Sequence, residues 1–98
     1  MAENGGPVID QRLVKAISHP LRVEVLETIA RQGEISPTQI ATSLEQELGR
    51  VSYHVNVLEG CEVIELSGTR QRRGAVEHFF RPVPSMRDFL ELAKSTFS

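Results

Sequence analysis

Two short helical patterns of apolar residues lie next to each other near the middle of the chain. In the first, Ile40, Ala41 and Leu44 fall on one side of a helix. In the second, apolar positions repeat at spacings of three, four and three, which forms a single helical stripe. The residues of this stripe are Leu48, Val51, Val55 and Leu58. Because only the polar residues 45–47 separate the two patterns, they predict two short helices joined by a tight turn, which is the outline of a helix-turn-helix.

The start of the first of these helices is marked by its residue types. Ser36 can accept a backbone N–H bond as the N-cap, and Pro37 suits the first helical position, where no N–H is needed. The helix is therefore predicted to begin at Pro37, with Thr38 and Gln39 in its first turn.

The polar side of the second helix carries residue types suited to DNA. The major groove admits one helix, where Arg matches the edge of guanine, Asn matches adenine, and Ser or Tyr can bind phosphate. Such a side can also be a solvated surface, which is the usual case for an isolated amphipathic helix, but the preceding short helix favours DNA binding. The predicted DNA-binding residues of the pair are Ser36, Thr38, Gln39, Arg50, Ser52, Tyr53, His54 and Asn56.

Two further helices are predicted ahead of this pair. Residues 10–18 have apolar positions on one side of a short helix. A second helix is predicted over 20–31, because it opens on a proline and is followed by Gly33 as a C-terminal stop. Residues 34–35 are predicted to form a very short strand.

The sequence after the helix pair predicts a β-hairpin. Residues 63–66 have the β-branched content of a strand, 67–74 form a polar turn bracketed by glycines, and 75–81 return as a second strand. A hairpin directly after a recognition helix is a wing. Charged residues in its turn can simply protect a strand edge, but beside DNA we expect them to bind phosphates or enter the minor groove. These wing residues are Arg70, Arg72 and Arg73.

The last segment, residues 85–97, has apolar residues at helical spacing with charged residues between them. Its apolar side could pack on its own domain, but together with the first helix it is predicted to form a dimer surface. Twofold symmetry would place two recognition helices about one DNA turn apart. The predicted interface residues are Leu13, Ile17, Met86, Phe89, Leu90, Ala93 and Phe97.

The pattern as a whole predicts a mainly α fold with one small β-hairpin, which is a winged helix-turn-helix with four helices, a wing and a fifth helix. Residues 1–9 are expected to be a flexible N-terminus, 10–82 the DNA-binding domain and 85–97 the C-terminal dimerisation helix. A chain of 98 residues fits one small domain, for which oligomerisation would add buried surface.

The distribution of charge supports this division of roles. The net charge of −2 counts against a non-specific nucleic-acid binder, which is normally basic. Residues 1–47 hold more acids than bases, whereas residues 48–98 hold a slight excess of bases. Basic charge is therefore concentrated in the part of the chain that is predicted to contact DNA.

Other kinds of chemistry have little support in the sequence. There is no glycine-rich phosphate loop, nucleophile elbow or paired carboxylate motif, so we predict no catalytic residue and no enzyme activity. The three histidines and Cys61 have no local spacing suited to a shared ion, so neither a metal site nor a cofactor is predicted. A cytoplasmic location is expected, because there is no apolar run of about 18 residues and no signal-type start, and a single cysteine suits a reducing compartment.

Three segments resemble ArsR-type winged helix-turn-helix transcription factors. AISHPLRVEVL at 16–26 resembles the family's opening helix break, RVSYHVNVLEG at 50–60 its recognition helix, and RRGAVEHFFR at 72–81 its wing return strand, the last being most like actinobacterial members. The resemblance covers residues 13–82. It implies a homodimer, formed through the terminal helices, that represses transcription by binding an operator with inverted repeats.

The sequence departs from the metal-sensing members of that family. Those members carry a Cys-x-Cys pair on the helix before the recognition helix, or Asp and His ligands on the last helix. Here Thr42 and Ser43 stand where thiols would be needed, and the last helix has no histidine. The resemblance therefore does not imply metal sensing.

Two alternative functions are compatible with the same sequence. The acidic N-terminal half and the apolar last helix would also suit a winged helix that binds a protein partner without binding DNA. A metal or redox sensor is a weaker alternative, in which one exposed thiol per subunit, that of Cys61, could respond to oxidants.

Overall fold

The computed structural model describes residues 11–88, which form four helices, a two-stranded antiparallel hairpin and the start of a further helix at 84–88. This order confirms the predicted mainly α fold with a small hairpin. The predicted N-terminal segment and most of the predicted last helix lie outside the described residues. No helix between residues 11 and 88 is long and apolar enough to cross a membrane. The elements are α1 (Gln11–Ala16), α2 (Pro20–Gln32), α3 (Pro37–Leu44), α4 (Leu48–Gly60), β1 (Ile64–Arg72) and β2 (Ala75–Pro82).

The helix pair α3–α4 begins with the cap that the sequence predicts. Ser36 Oγ accepts the Gln39 N–H at 3.2 Å, and Gln39 Oε1 accepts the Ser36 N–H at 3.1 Å, so the two residues form a capping box. Pro37 occupies the first helical position. At the other end, Glu45 follows Leu44 with a left-handed φ of 55°. This residue ends α3 and turns the chain towards α4.

α2, α3 and α4 share one hydrophobic core. Val51, Val55 and Leu58 of α4 are each at most 1% exposed, which confirms these three members of the predicted stripe. Leu48, predicted as the fourth member, is instead 47% exposed. It is the first residue of α4, ahead of the turn that packs on the core. The residues that complete this part of the core include Val25, Leu26, Ile29, Ile40 and Ala41.

The hairpin is longer than predicted and its turn is shorter. β1 continues to Arg72, and only Arg73 and Gly74 connect it to β2, so the predicted turn over 67–74 is mostly strand. The two connecting residues have φ values of 45° and 82°, as a type I′ turn requires at its two central positions. Polar residues are a weak sign of a loop here, because β1 is exposed on both faces over residues 69–72 and needs no apolar side there.

A third backbone segment joins β2 near the base of the hairpin. The Ile35 N–H donates to the Phe80 carbonyl at 3.1 Å, and the Phe80 N–H donates to the Ile35 carbonyl at 2.9 Å. The predicted short strand at 34–35 is therefore confirmed as a single β-bridge. Since both residues are 6% exposed, the base of the hairpin is fixed in the core, directly before α3.

We expect Gly74→Ala to destabilise the protein through the turn alone. A residue with a Cβ at a left-handed φ costs roughly 1–2 kcal/mol, and no atom lies within 4 Å of the added Cβ. Urea unfolding should therefore show a lower midpoint. Arg73→Asn is the matched control and should leave the midpoint unchanged or raise it, because Asn-Gly is a preferred pair for this turn. An unchanged midpoint in Gly74→Ala would contradict the turn geometry.

Candidate nucleic-acid interface

Three of the predicted DNA-binding residues form a row on the exposed side of α4. Arg50, Tyr53 and Asn56 are spaced three apart, so they are neighbours along one side of the helix. All three are exposed, and Tyr53 is 60% exposed. α4 thus has a buried apolar side and a polar side that is free to contact a partner.

A groove of about 340 Å³ lies between α4 and the hairpin. Ser52 and Asn56 line it from α4, and Leu66 and His78 line it from the hairpin. The other lining residues are Pro37, Val55, Glu59 and Phe80. The polar side of α4 and one face of the hairpin therefore border the same groove.

The prediction that His54 shares the exposed side of α4 is wrong. His54 is only 4% exposed, and its Nδ1 atom accepts a hydrogen bond from Nε of Arg22 at 3.2 Å. Arg22 is itself 7% exposed, and its NH1 group donates to the Lys15 carbonyl at 2.6 Å. His54 therefore joins α4 to α2 inside the protein and is not proposed as a DNA contact.

The contact between His54 and His19 is not predicted by the sequence. Their ring centroids are 4.6 Å apart, and the Tyr53 ring meets His54 edge-on at 5.2 Å. His19 is also the N-cap of α2, where its Nδ1 atom accepts the Leu21 N–H at 3.2 Å. Only the fold brings these residues together, since they are 35 positions apart in the sequence (54 − 19).

Burial lowers the pKa of His54 below its ordinary value of 6.5, and electrostatic interactions with His19, Arg22 and Arg50 lower it further. The imidazole is therefore neutral at neutral pH. A neutral ring is also what the hydrogen bond requires, because a protonated Nδ1 could not accept from Arg22. The contact between α2 and α4 thus depends on the uncharged form of His54.

The predicted residues at the start of α3 occupy different environments. Ser36 is fully buried, because its hydroxyl caps α3 and donates to Glu77 Oε2 at 2.6 Å. The prediction that Ser36 contacts DNA is therefore wrong, since the residue is buried. Thr38 and Gln39 are exposed on the first turn of α3.

The wing arginines are distributed along the hairpin and not gathered in its turn. Arg70 and Arg72 lie in β1, and Arg73 alone is in the turn. Arg70 lies over the Phe79 ring at 5.4 Å, and Arg72 is 3.7 Å from a carboxylate oxygen of Glu77. Since alternate strand residues share a face, Arg70 and Arg72 lie on the face opposite His78, which lines the groove.

The predicted dimer residues are only partly described. Ile17 is 53% exposed, and Val14 beside it on α1 is 47% exposed. Leu13 is half-buried against the core, and Met86 is 7% exposed within the single chain. Met86 is therefore a core residue, contrary to its predicted place on a dimer surface. Phe89, Leu90, Ala93 and Phe97 lie outside the described residues.

Within residues 11–88, no three His, Cys, Asp or Glu side chains are grouped to hold a metal ion. Cys61 is 4% exposed. A thiol enclosed in the core has little contact with oxidants, so the structure does not favour a sensor based on Cys61.

The stability of the protein should fall as the pH drops through about 6.5. The unfolded chain binds a proton on His54 below that pH, whereas the folded protein binds it only at lower pH, because the folded pKa is lower. The free energy of unfolding, measured by urea titration between pH 8 and 5, should therefore be constant above this range and decline below it.

Replacing His54 should remove this part of the pH dependence. His54→Asn keeps an oxygen that can accept from Arg22 but cannot titrate, so its stability should decline less between pH 7 and 5.5. His78→Asn, at an exposed position of the hairpin, is the matched control and should decline as the wild type does. Equal slopes in His54→Asn and the wild type would show that another group is responsible.

The chain was compared with protein-family models, curated sequences and solved structures. No protein-family model matches the chain, and no curated protein sequence matches it. Solved structures do match. The homodimeric winged helix-turn-helix DNA-binding domain of Mb0332 from Mycobacterium bovis, a possible ArsR-family transcriptional regulator, aligns with a TM-score of 0.68 and 23% identity over 88% of this chain and 75% of that chain.

Two transcriptional repressors are similar in the same way. PagR of Bacillus anthracis aligns with a TM-score of 0.63 and 20% identity, over 85% of this chain and 90% of that chain. The antimony-specific repressor AntR aligns with a TM-score of 0.63 and 21% identity, over 86% of this chain and 72% of that chain. Together with the capped helix pair and the bridged hairpin, these likenesses show that the chain has the winged helix-turn-helix fold.

Proposed function

We propose that this protein is a sequence-specific, DNA-binding transcriptional regulator of the ArsR type, acting as a homodimeric repressor on a palindromic operator. The observation that carries the proposal is the exposed row Arg50, Tyr53 and Asn56 on the second helix of a helix-turn-helix, beside a hairpin with three arginines. Solved DNA-binding regulators with the same fold support it.

The chemistry of α4 suits contacts with base edges. Arg50 is in the first turn of the helix, and the N-terminal part of a recognition helix is the part that contacts bases in helix-turn-helix proteins. A guanidinium can donate two hydrogen bonds to guanine. The Asn56 amide can donate one hydrogen bond to adenine and accept another from it. Tyr53 lies between them and can donate its hydroxyl to a phosphate.

The hairpin supplies charge beside this helix. Arg73 is exposed in the turn and has a flexible side chain that can reach a phosphate or the minor groove. Because the whole chain has a net charge of −2, favourable electrostatics depend on this local concentration of arginines. Binding should therefore be sensitive to salt and confined to one surface.

The dimer is proposed from exposed apolar residues at the end of α1. Val14 of α1 and Ile17, which directly follows the helix, are three apart and about half exposed, which is an arrangement suited to a second copy of the same surface. Mb0332, which has the same fold, is homodimeric. Twofold symmetry would then require an operator with two inverted half-sites. A repressor role is proposed because PagR and AntR are repressors.

Selection of bound duplexes from a random pool should yield a palindromic sequence, and Arg50→Ala should lose discrimination at one base pair of each half-site. The expected loss is about 1–3 kcal/mol, because a bidentate contact to one base is removed. Gel shifts with every base at that position would measure it.

Two further variants separate base contacts from phosphate contacts. Arg73→Ala should weaken binding to all duplexes and reduce the salt slope by about one unit. Arg31→Ala removes the same charge from the exposed end of α2 and should change neither quantity. If the wild type showed no salt-sensitive affinity for any duplex, the protein would be an interaction module for a protein partner and not a DNA-binding regulator.

Ile17→Glu should shift the protein towards the monomer in sedimentation equilibrium, because it would place two like charges across a twofold axis. Ile17 is 53% exposed, so the single chain should still fold. Val76→Glu makes a similar change at an apolar hairpin residue that is 48% exposed, and it should leave the dimer intact. A dimer of unchanged strength in Ile17→Glu would rule out this side of α1 as the interface.

A further inference from the structure

An acidic side chain is enclosed between the hairpin and the helix pair. The Glu77 side chain, in β2, is 13% exposed. Its Oε2 atom accepts a hydrogen bond from Ser36 Oγ at 2.6 Å. Its Oε1 atom is buried without a hydrogen bond among residues 11–88, and the nearest cation in an ion pair with it is NH1 of Arg72, at 3.7 Å.

The position of the Glu77 carboxylate is by itself unfavourable for both folding and DNA binding. A buried carboxylate oxygen that lacks a hydrogen bond lowers stability. A negative charge on a hairpin that approaches phosphates also weakens binding. Glu77 therefore needs a compensating role in the protein.

The contacts of Glu77 show what that role is. Ser36 is the N-cap of α3, so its bond to Glu77 connects β2 to the start of the helix pair. The Ile35–Phe80 bridge connects the same two segments at the base of the hairpin. The Ser67 hydroxyl of β1 also donates to Glu34, close to this bridge. Glu77 lies three residues nearer to the turn than Phe80, so its bond to Ser36 is an attachment farther out along the hairpin. A hairpin attached only near its base can pivot, whereas an attachment farther out restricts its direction.

We propose that Glu77 is a positioning residue for DNA binding, which fixes the hairpin against α3 and so holds its turn, with Arg73, next to the duplex that α4 contacts. This inference rests on the function proposed above. Glu77 acts on DNA only through the position of the hairpin.

The proposal predicts an effect opposite in sign to that of simple electrostatics. Glu77→Val keeps a residue suited to a strand but removes both contacts, and it should weaken operator binding about fivefold although a negative charge is lost. The salt slope should also decrease by about one unit, because one phosphate contact is no longer made. Glu77→Gln can still accept a hydrogen bond from Ser36, so its affinity for the operator should lie between those of the wild type and Glu77→Val.

Glu65→Val is the matched control on the same hairpin. Glu65 also forms an ion pair along the hairpin, with Arg81 Nε at 2.9 Å, but its carboxylate is more exposed and does not contact the helix pair. This variant loses the same charge and should bind the operator as tightly as the wild type or more tightly. The comparison separates positioning from the loss of a negative charge or of a hairpin ion pair.

A background without wing arginines separates positioning from a general loss of stability. In Arg70→Ala/Arg72→Ala/Arg73→Ala, adding Glu77→Val should cause no further loss of affinity, since there are no arginines left to position. Wild-type affinity and salt slope in both Glu77→Val and Glu77→Gln would overturn the inference, as would an equal loss in the arginine-free background. Absence of operator binding by the wild type would instead refute the proposed function.

Discussion

The burial of one side of α4 against α2 and α3 determines which side of that helix is left in solvent. A helix of 13 residues is marginal by itself in water, so α4 depends on the packing of Val51, Val55 and Leu58 for its stability. Because these residues occupy the buried side of the helix, Arg50 and Asn56 lie on the side that faces solvent. The same packing that stabilises the fold therefore presents the polar row.

Apolar packing is not directional, so a buried polar contact helps to fix the orientation of the helices relative to one another. The hydrogen bond from Arg22 to His54 joins the middle of α4 to the start of α2, and the bond from Arg22 to the Lys15 carbonyl extends the connection to the end of α1. One buried guanidinium on α2 thus bonds to both α4 and α1 and connects the three helices. The exposed apolar side of α1 and the polar side of α4 are both held relative to this side chain.

Local patterns predicted the parts of the fold that local interactions determine. The sequence predicts Ser36 as a cap because capping is an interaction over three residues. It predicts Val51 in the core because the stripe repeats along one helix. His54 is three residues after Val51 and four before Leu58, so its spacing indicated burial, but its polar side chain suggested the surface. Its partner Arg22 and the pairing of Ser36 with Glu77 are contacts between distant parts of the chain, which no spacing encodes. The two-residue turn was missed because it depends on backbone dihedral angles and not on polarity.

The length of α4 limits how much sequence information one copy of the protein can obtain. A helix of 13 residues is about 20 Å long, and the row Arg50, Tyr53 and Asn56 supplies three side chains suited to bases or phosphates. In the proposed function, so few contacts distinguish only a few base pairs, and a stretch that short recurs by chance many times in any chromosome. Selectivity for a single promoter would therefore have to arise from two copies acting on one site, which doubles the number of base pairs that must match.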